Sequence, residues 1–225
     1  MHLNPPLVKI SNVIKDRSLL TGPSIIKGVR TRGLYKTDVK THRGATINTI
    51  TEKILEMDMS PYHTVILLIG GNNYSNGQTL KGTEDDYESL LYAIRSRNTE
   101  CKIIFSGLPP RRDVLMTPLN DTLSTLCENF QILFVPQYRT FFKDNRVNQQ
   151  LYQRDQIHLS NRGTALLVKN IDQYIRLIKG VRHESENCLY CGEHGHVTQR
   201  CLHGKQICCH VGSELEHKQM LCTCQ

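Results

Sequence analysis

Cysteine is almost missing ahead of Cys188. Only Cys101 and Cys127 occur there, and the other seven lie between Cys188 and Cys224. That distribution excludes a disulfide framework and reads instead as a metal site in a reducing compartment. Long apolar runs are also missing: none approaches the roughly 18 residues that a membrane-spanning helix needs. The first residues, Met1 to Lys9, lack the apolar centre of a secretory signal. Together these absences predict an intracellular protein, cytoplasmic or nuclear, with no membrane partner.

What is present is an ordinary soluble profile, with 39% hydrophobic and 22% charged residues in 225. That is enough for one core and an appendage. Acids are outnumbered, and the imbalance is uneven. From Arg182 on, four Lys/Arg stand against five acids, a net −1, so the overall +7 resides in the chain before Arg182, which holds +8. Lys27 to Arg43 is the densest basic stretch, with Asp38 its one acid. It reads as a solvated face rather than as a dedicated phosphate-binding strip.

The chain alternates strand and helix patterns. Ser18–Thr21 is a short strand candidate after an irregular lead-in over residues 1–16. Thr64–Ile69 is a continuous apolar run, the signature of a strand buried on both faces. Lys102–Phe105 and Ile132–Val135 are further strands. Ile47–Met57, Glu84–Arg95, Pro118–Phe130 and Ser160–Ile178 carry helical stripes, the last capped by Ser160 or Asn161. The pattern predicts an α/β fold with a parallel sheet covered on both faces. Function in such sheets sits at the carboxyl ends of strands. Polar turns stand there: Gly22-Pro23-Ser24, Gly70-Gly71-Asn72-Asn73 and Ser106-Gly107, with Asp155-Gln156-Ile157-His158 leading into the last helix.

After a polar linker at 181–187 comes a small C-terminal zinc-knuckle region. Cys188, Cys191, His196 and Cys201 form a Cys-x2-Cys-x4-His-x4-Cys set over 188–201. Three thiols and an imidazole make a closed tetrahedral site for Zn²⁺, whose binding would supply the folding energy that so short a segment cannot obtain from a core. The pattern resembles the CCHC knuckle of retroviral nucleocapsids and related retroelement proteins. That resemblance implies binding of single-stranded RNA or DNA. Tyr190 is then either a platform for an unpaired base or a residue that packs on the metal site. A degenerate second knuckle over 209–222 keeps Cys209, His217 and Cys222 but has Gly212 where the second thiol belongs. Cys208, His210 or Cys224 could substitute with altered geometry; a decayed repeat is the simpler reading.

The polar turns carry a second resemblance. Gly22-Pro23-Ser24, Gly44 in His42-Arg43-Gly44-Ala45-Thr46, Gly70-Gly71-Asn72-Asn73 and Asp155-Gln156-Ile157-His158 are similar, in order, to the four blocks of the SGNH (GDSL-type) hydrolases. Leu108-Pro109-Pro110-Arg111-Arg112-Asp113 resembles a turn of the retroelement-associated branch. The resemblance implies a flavodoxin-like three-layer parallel sheet over residues 17–180 and a catalytic set of Ser24, Asp155 and His158, with His158 as base and Asp155 orienting it. It implies oxyanion donors from the Ser24 and Gly44 amides and the Asn72 side chain. The substrate would be an ester or acetyl group, attacked through an acyl-serine. Two positions depart from the family pattern. Pro23 replaces an acid, and its fixed φ and missing N–H predict a re-aimed nucleophile loop. Asn73 replaces another acid, with the expected loss of a charge that orders neighbouring loops.

Three functions are therefore open from the sequence. One is a zinc-dependent nucleic-acid-binding protein of mobile-element type. Another is a serine esterase or deacetylase targeted by its knuckle. The third is a non-catalytic pseudo-hydrolase domain whose cleft binds a partner.

Overall fold

The longest apolar run becomes β3 (Tyr62–Leu67), the centre of a parallel sheet in a computed structural model that describes residues 17–179. The two knuckle segments, with Tyr190 and all seven clustered cysteines, the linker at 181–187 and the lead-in at 1–16 lie outside the described residues. Val65, Ile66 and Leu67 are fully buried because helices cover both faces of this strand. On one side β3 pairs with β1 (Arg17–Gly22), and β1 with β2 (Thr37–Thr41). On the other it pairs with β4 (Lys102–Ser106), and β4 with β5 (Leu133–Val135). The order β2-β1-β3-β4-β5 is the flavodoxin-like one, so the α/β expectation holds.

Four helices cover this sheet: α1 (Ile47–Glu56), α3 (Leu80–Arg97), α4 (Thr117–Asn129) and α5 (Asn161–Asp172). A shorter one, α2 (Gly71–Ser75), follows β3. The helices α1, α3 and α4 belong to crossovers that advance from β2 toward β5, and they pack on one another. The β1–β2 connection runs the opposite way, so right-handed crossing puts it on the other face. There it meets α5, with Gly28 against Thr164. Ile47, Ile50 and Ile54 of α1 and Tyr87, Leu90, Leu91 and Ile94 of α3 face the core. Tyr87 meets Phe105 of β4 edge-on, with 5.3 Å between ring centroids. Among the described residues no helix is long and apolar enough to cross a membrane.

Three expectations need correction. The second strand, β2, is absent from the sequence pattern; it lies in the basic stretch as an edge strand, whose half-exposed residues Asp38, Val39 and Lys40 carry no apolar run. The polar turn Gly70–Asn73 opens a helix rather than a loop. The last helix stops at Asp172 instead of running to Ile178. Its stripe continues in Tyr174, Ile175 and Ile178, but the buried Asp172 carboxylate accepts from the amides of Leu177 (2.6 Å) and Ile178 (2.7 Å) and turns the chain back. Tyr35 N–H then donates to Leu177 C=O at 2.8 Å, closing the tail onto the segment before β2.

Candidate active site

The sheet order reverses between β1 and β3, and the polar turns converge at the carboxyl ends of those strands. Ser24 follows β1. Gly22, the last residue of β1, packs so closely on the neighbouring chain that a Cβ there would stand 2.3 Å from Leu68 O. This contact, more than turn flexibility, requires glycine. Pro23 leads from β1 into the loop that carries Ser24. Its φ of −76° lies within the range proline already fixes. Its carbonyl accepts from Ile26 N–H at 3.2 Å to start a helical turn, Ser24–Ile26. Ser24 opens that turn, so its own amide has no intrahelical acceptor.

Ser24 Oγ lies 2.9 Å from His158 Nε2, although 134 residues separate them in sequence. His158 Nδ1 lies 2.6 Å from Asp155 Oδ2. An ionised carboxylate only accepts, so the proton belongs on Nδ1, and Nε2 is left to accept from the serine hydroxyl. The other oxygen, Asp155 Oδ1, accepts from the Ile157 and His158 amides, each at 2.9 Å. Gln156 between them holds a left-handed φ of 57° that bends the main chain around the carboxylate. The Asp-x-x-His spacing thus orients both members with one local loop. Its bond to His158, then the two backbone amides, holds the Asp155 carboxyl down at about 2. The side chains of His158 and Asp155 are 39% and 43% exposed, so this pair adds little to stability. Its consequence is orientation.

Across a cavity of about 300 Å³ from His158 stand Gly44 and Asn72. Gly44 is the third residue of a turn closed by Ala45 N–H to His42 C=O at 3.2 Å. That position needs its φ of 67°. Asn72 donates one Nδ2 hydrogen to Ala45 O at 3.0 Å, and its Oδ1 accepts from Arg111 NH1 at 3.2 Å. Arginine has no acceptor and a carbonyl has no donor, so the carboxamide cannot be reversed. Its second N–H remains for a ligand. Arg111 itself is clamped by Asp113 (Nε to Oδ1 2.9 Å, NH2 to Oδ2 2.6 Å). Burial raises the Asp113 carboxyl, but the Arg111 bonds and charge outweigh it and hold the group below its ordinary value. In the sequence, Arg111 and Asp113 figure only as part of a familiar turn. An arginine two positions before an aspartate, after two prolines, is the available signal for a fixed guanidinium.

Asn73 does order its neighbours, contrary to the expectation. It is 3% exposed; its Oδ1 accepts from Ile47 N–H (2.9 Å) at the start of α1, and its Nδ2 donates to Gln78 Oε1 (2.8 Å) and Asp86 Oδ2 (3.2 Å). The negative charge missing at 73 stands nearby at Asp86 of α3.

All five expected residues of the hydrolase set therefore meet: Ser24, His158, Gly44 and Asn72 line one cavity, and Asp155 backs His158. Its apolar wall is Ile25, Leu68, Leu108, Pro109 and Ile157. Among the described residues no three His, Cys, Asp or Glu side chains gather to hold a metal, and the expected zinc ligands lie outside those residues.

The sequence profile of the GDSL-like Lipase/Acylhydrolase family matches residues 27–166. The match begins just after Ser24, so geometry rather than the profile brings that serine into the site. No curated protein shows significant similarity to the chain. Among solved structures, a lipase/acylhydrolase from Enterococcus faecalis is 16% identical, with 72% of this chain and 96% of that one covered at a TM-score of 0.57. A putative platelet activating factor from Streptococcus pneumonia is 17% identical, covering 73% and 86% at 0.59. These are likenesses of fold. The esterase domain of the ORF1 protein of the zebrafish ZfL2-1 retrotransposon is 26% identical over 72% of this chain and 99% of that one, at a looser TM-score of 0.40.

Proposed function

This chain belongs to the GDSL-like lipase/acylhydrolase family, and from that premise we propose that its α/β domain is a serine esterase, with Ser24 as nucleophile, His158 as base and Asp155 as its orienting acid. The observation that carries the reading is the unbroken relay from Ser24 Oγ through His158 to Asp155, at 2.9 and 2.6 Å. Ser24 Oγ attacks the ester carbonyl while His158 Nε2 takes its proton. The carbonyl oxygen gains the charge, and the Ser24 amide, the Gly44 amide and the free Asn72 N–H are the groups to receive it. Collapse breaks the bond to the alcohol, which leaves with the proton from His158. A water molecule then repeats the sequence on the acyl-serine and releases the acid. The pseudo-hydrolase alternative is weakened because both departures that motivated it are accommodated. Ser24, next to Pro23, still meets His158, and Asn73 keeps its loops tied.

The C-terminal segment adds a second function. Cys188, Cys191, His196 and Cys201 hold Zn²⁺, and the knuckle so formed binds single-stranded RNA or DNA; the spacing of those ligands supports this reading. Cys209, His217 and Cys222 lack a fourth ligand of regular spacing and hold no second ion.

The esterase reading is tested with p-nitrophenyl acetate and the full chain. Hydrolysis should exceed background and vanish in Ser24→Ala; equal rates from two folded proteins would refute it. For the knuckle, the zinc-loaded chain should bind single-stranded RNA in a salt-dependent manner and lose the binding in Cys191→Ser.

A further inference from the structure

Three arginines border the cavity and the hollow beside it, and two of them have no ion-pair partner among the described residues. Arg43 lines the cavity of Ser24, and Arg111 lines both that cavity and a second hollow of about 460 Å³. The second hollow is completed by Pro110, Arg112, Val147, Gln149 and Gln156. No carboxylate lines either space. Arg111 is committed to Asp113 and Asn72, whereas Arg43 and Arg112 are exposed and have no ion-pair partner among the described residues.

The chemistry fixes which part of an ester would face which hollow. The departing oxygen must receive the proton held on His158 Nε2, so the alcohol lies on the side of residues 156–158. Those residues run from the second hollow, at Gln156, into the first, at Ile157 and His158. Arg112 N–H donates to Gln156 C=O at 3.2 Å, which fixes the arginine turn beside that path. The acyl part is left to the apolar wall of Ile25, Leu68, Leu108 and Pro109.

Resting on the esterase reading, we propose that the second hollow is the leaving-group subsite, and that it selects esters whose alcohol carries a phosphate or carboxylate. Guanidinium forks match the geometry of both anions. The domain's surplus of positive charge draws such substrates toward the site. The charge on the alcohol does not change in the reaction; only its ester oxygen gains a proton, the one His158 took from Ser24.

The test uses the full chain and three acetyl esters: phenyl acetate, 4-acetoxybenzoate and 4-acetoxyphenyl phosphate. Each kcat/KM is divided by that ester's own hydroxide-catalysed rate. Both anionic esters should exceed the neutral one by about tenfold at low salt, with the gap narrowing as salt rises. If phosphate is the preferred group, the third ester leads; if carboxylate, the second. Arg112→Gln should lower the ratio of anionic to neutral, whereas Arg43→Gln, outside the second hollow, should lower it less. Equal normalised values for all three esters would overturn the proposal, as would a preference that survives Arg112→Gln. Binding keeps the question open to test if no ester is turned over. Phenyl phosphate titrated into the Ser24→Ala chain should bind, more weakly by about tenfold with Arg112→Gln added; no measurable binding would overturn the subsite even where the esterase reading had already failed.

Discussion

The two sides of the cavity are built on different plans. The acid–base side is local: Asp155 and His158 are three residues apart, and one carboxylate both caps their loop and orients the imidazole. Ser24 is the one distant member. The oxyanion side is distributed: Asn72 is fixed by Ala45 and by Arg111, 27 and 39 residues away, and Asn73 beside it ties α1 to α3. A local device survives changes elsewhere in the chain. A distributed one can absorb a substitution such as Asn73 because a partner, Asp86, supplies the missing charge.

The comparison breaks most visibly on the acid–base side. His158→Ala should lower kcat by about 10⁴–10⁶ on any ester the chain hydrolyses, with its melting temperature nearly unchanged, since the ring is partly exposed. Asn72→Ala should cost about 10²–10³ in kcat and far less in KM, the mark of an interaction made in the transition state. Asn73→Asp tests the distributed side through stability. It sets a second carboxylate against Asp86 and should destabilise by about 1–3 kcal/mol in denaturant unfolding. The new carboxyl would titrate high in the folded state, so the deficit should be present near neutral pH and shrink as pH falls. Adding Asp86→Asn should remove the pH dependence. Arg111→Lys should lower kcat by about tenfold, because a lysine cannot hold Asp113 bidentately and Asn72 at once. KM for a neutral ester should move less.

The smallest effect concerns Asp155. Its carboxyl is lowered from 3.8 to about 2 in the folded protein, so its stabilising contribution is complete above 3.8 and is lost only as pH falls toward 2. The stability difference between the wild type and Asp155→Asn should therefore be constant around neutral pH and decline only below 3.8.

The same contrast explains what the sequence discloses. Buried strands such as β3 announce themselves because both faces must be apolar. The edge strand β2 does not, since half-exposed Asp38, Val39 and Lys40 read like any basic surface. The end of α5 is hidden because Tyr174, Ile175 and Ile178 continue its stripe, while the turn depends on bonds to Asp172. In the site, Asp155 and His158 are legible through their spacing, and Ser24 and Gly44 through their turns. The role of Arg111 is not, because the contact that gives it meaning forms only when β3 and β4 lie side by side.

The most direct measurement is covalent. The full chain is treated with an activated fluorophosphonate, which phosphonylates nucleophilic serines, and its peptides are mapped by mass spectrometry. One modified serine, Ser24, is expected, with labelling lost in His158→Ala. A chain that stays unlabelled, or one labelled at another serine, would contradict Ser24 as the nucleophile.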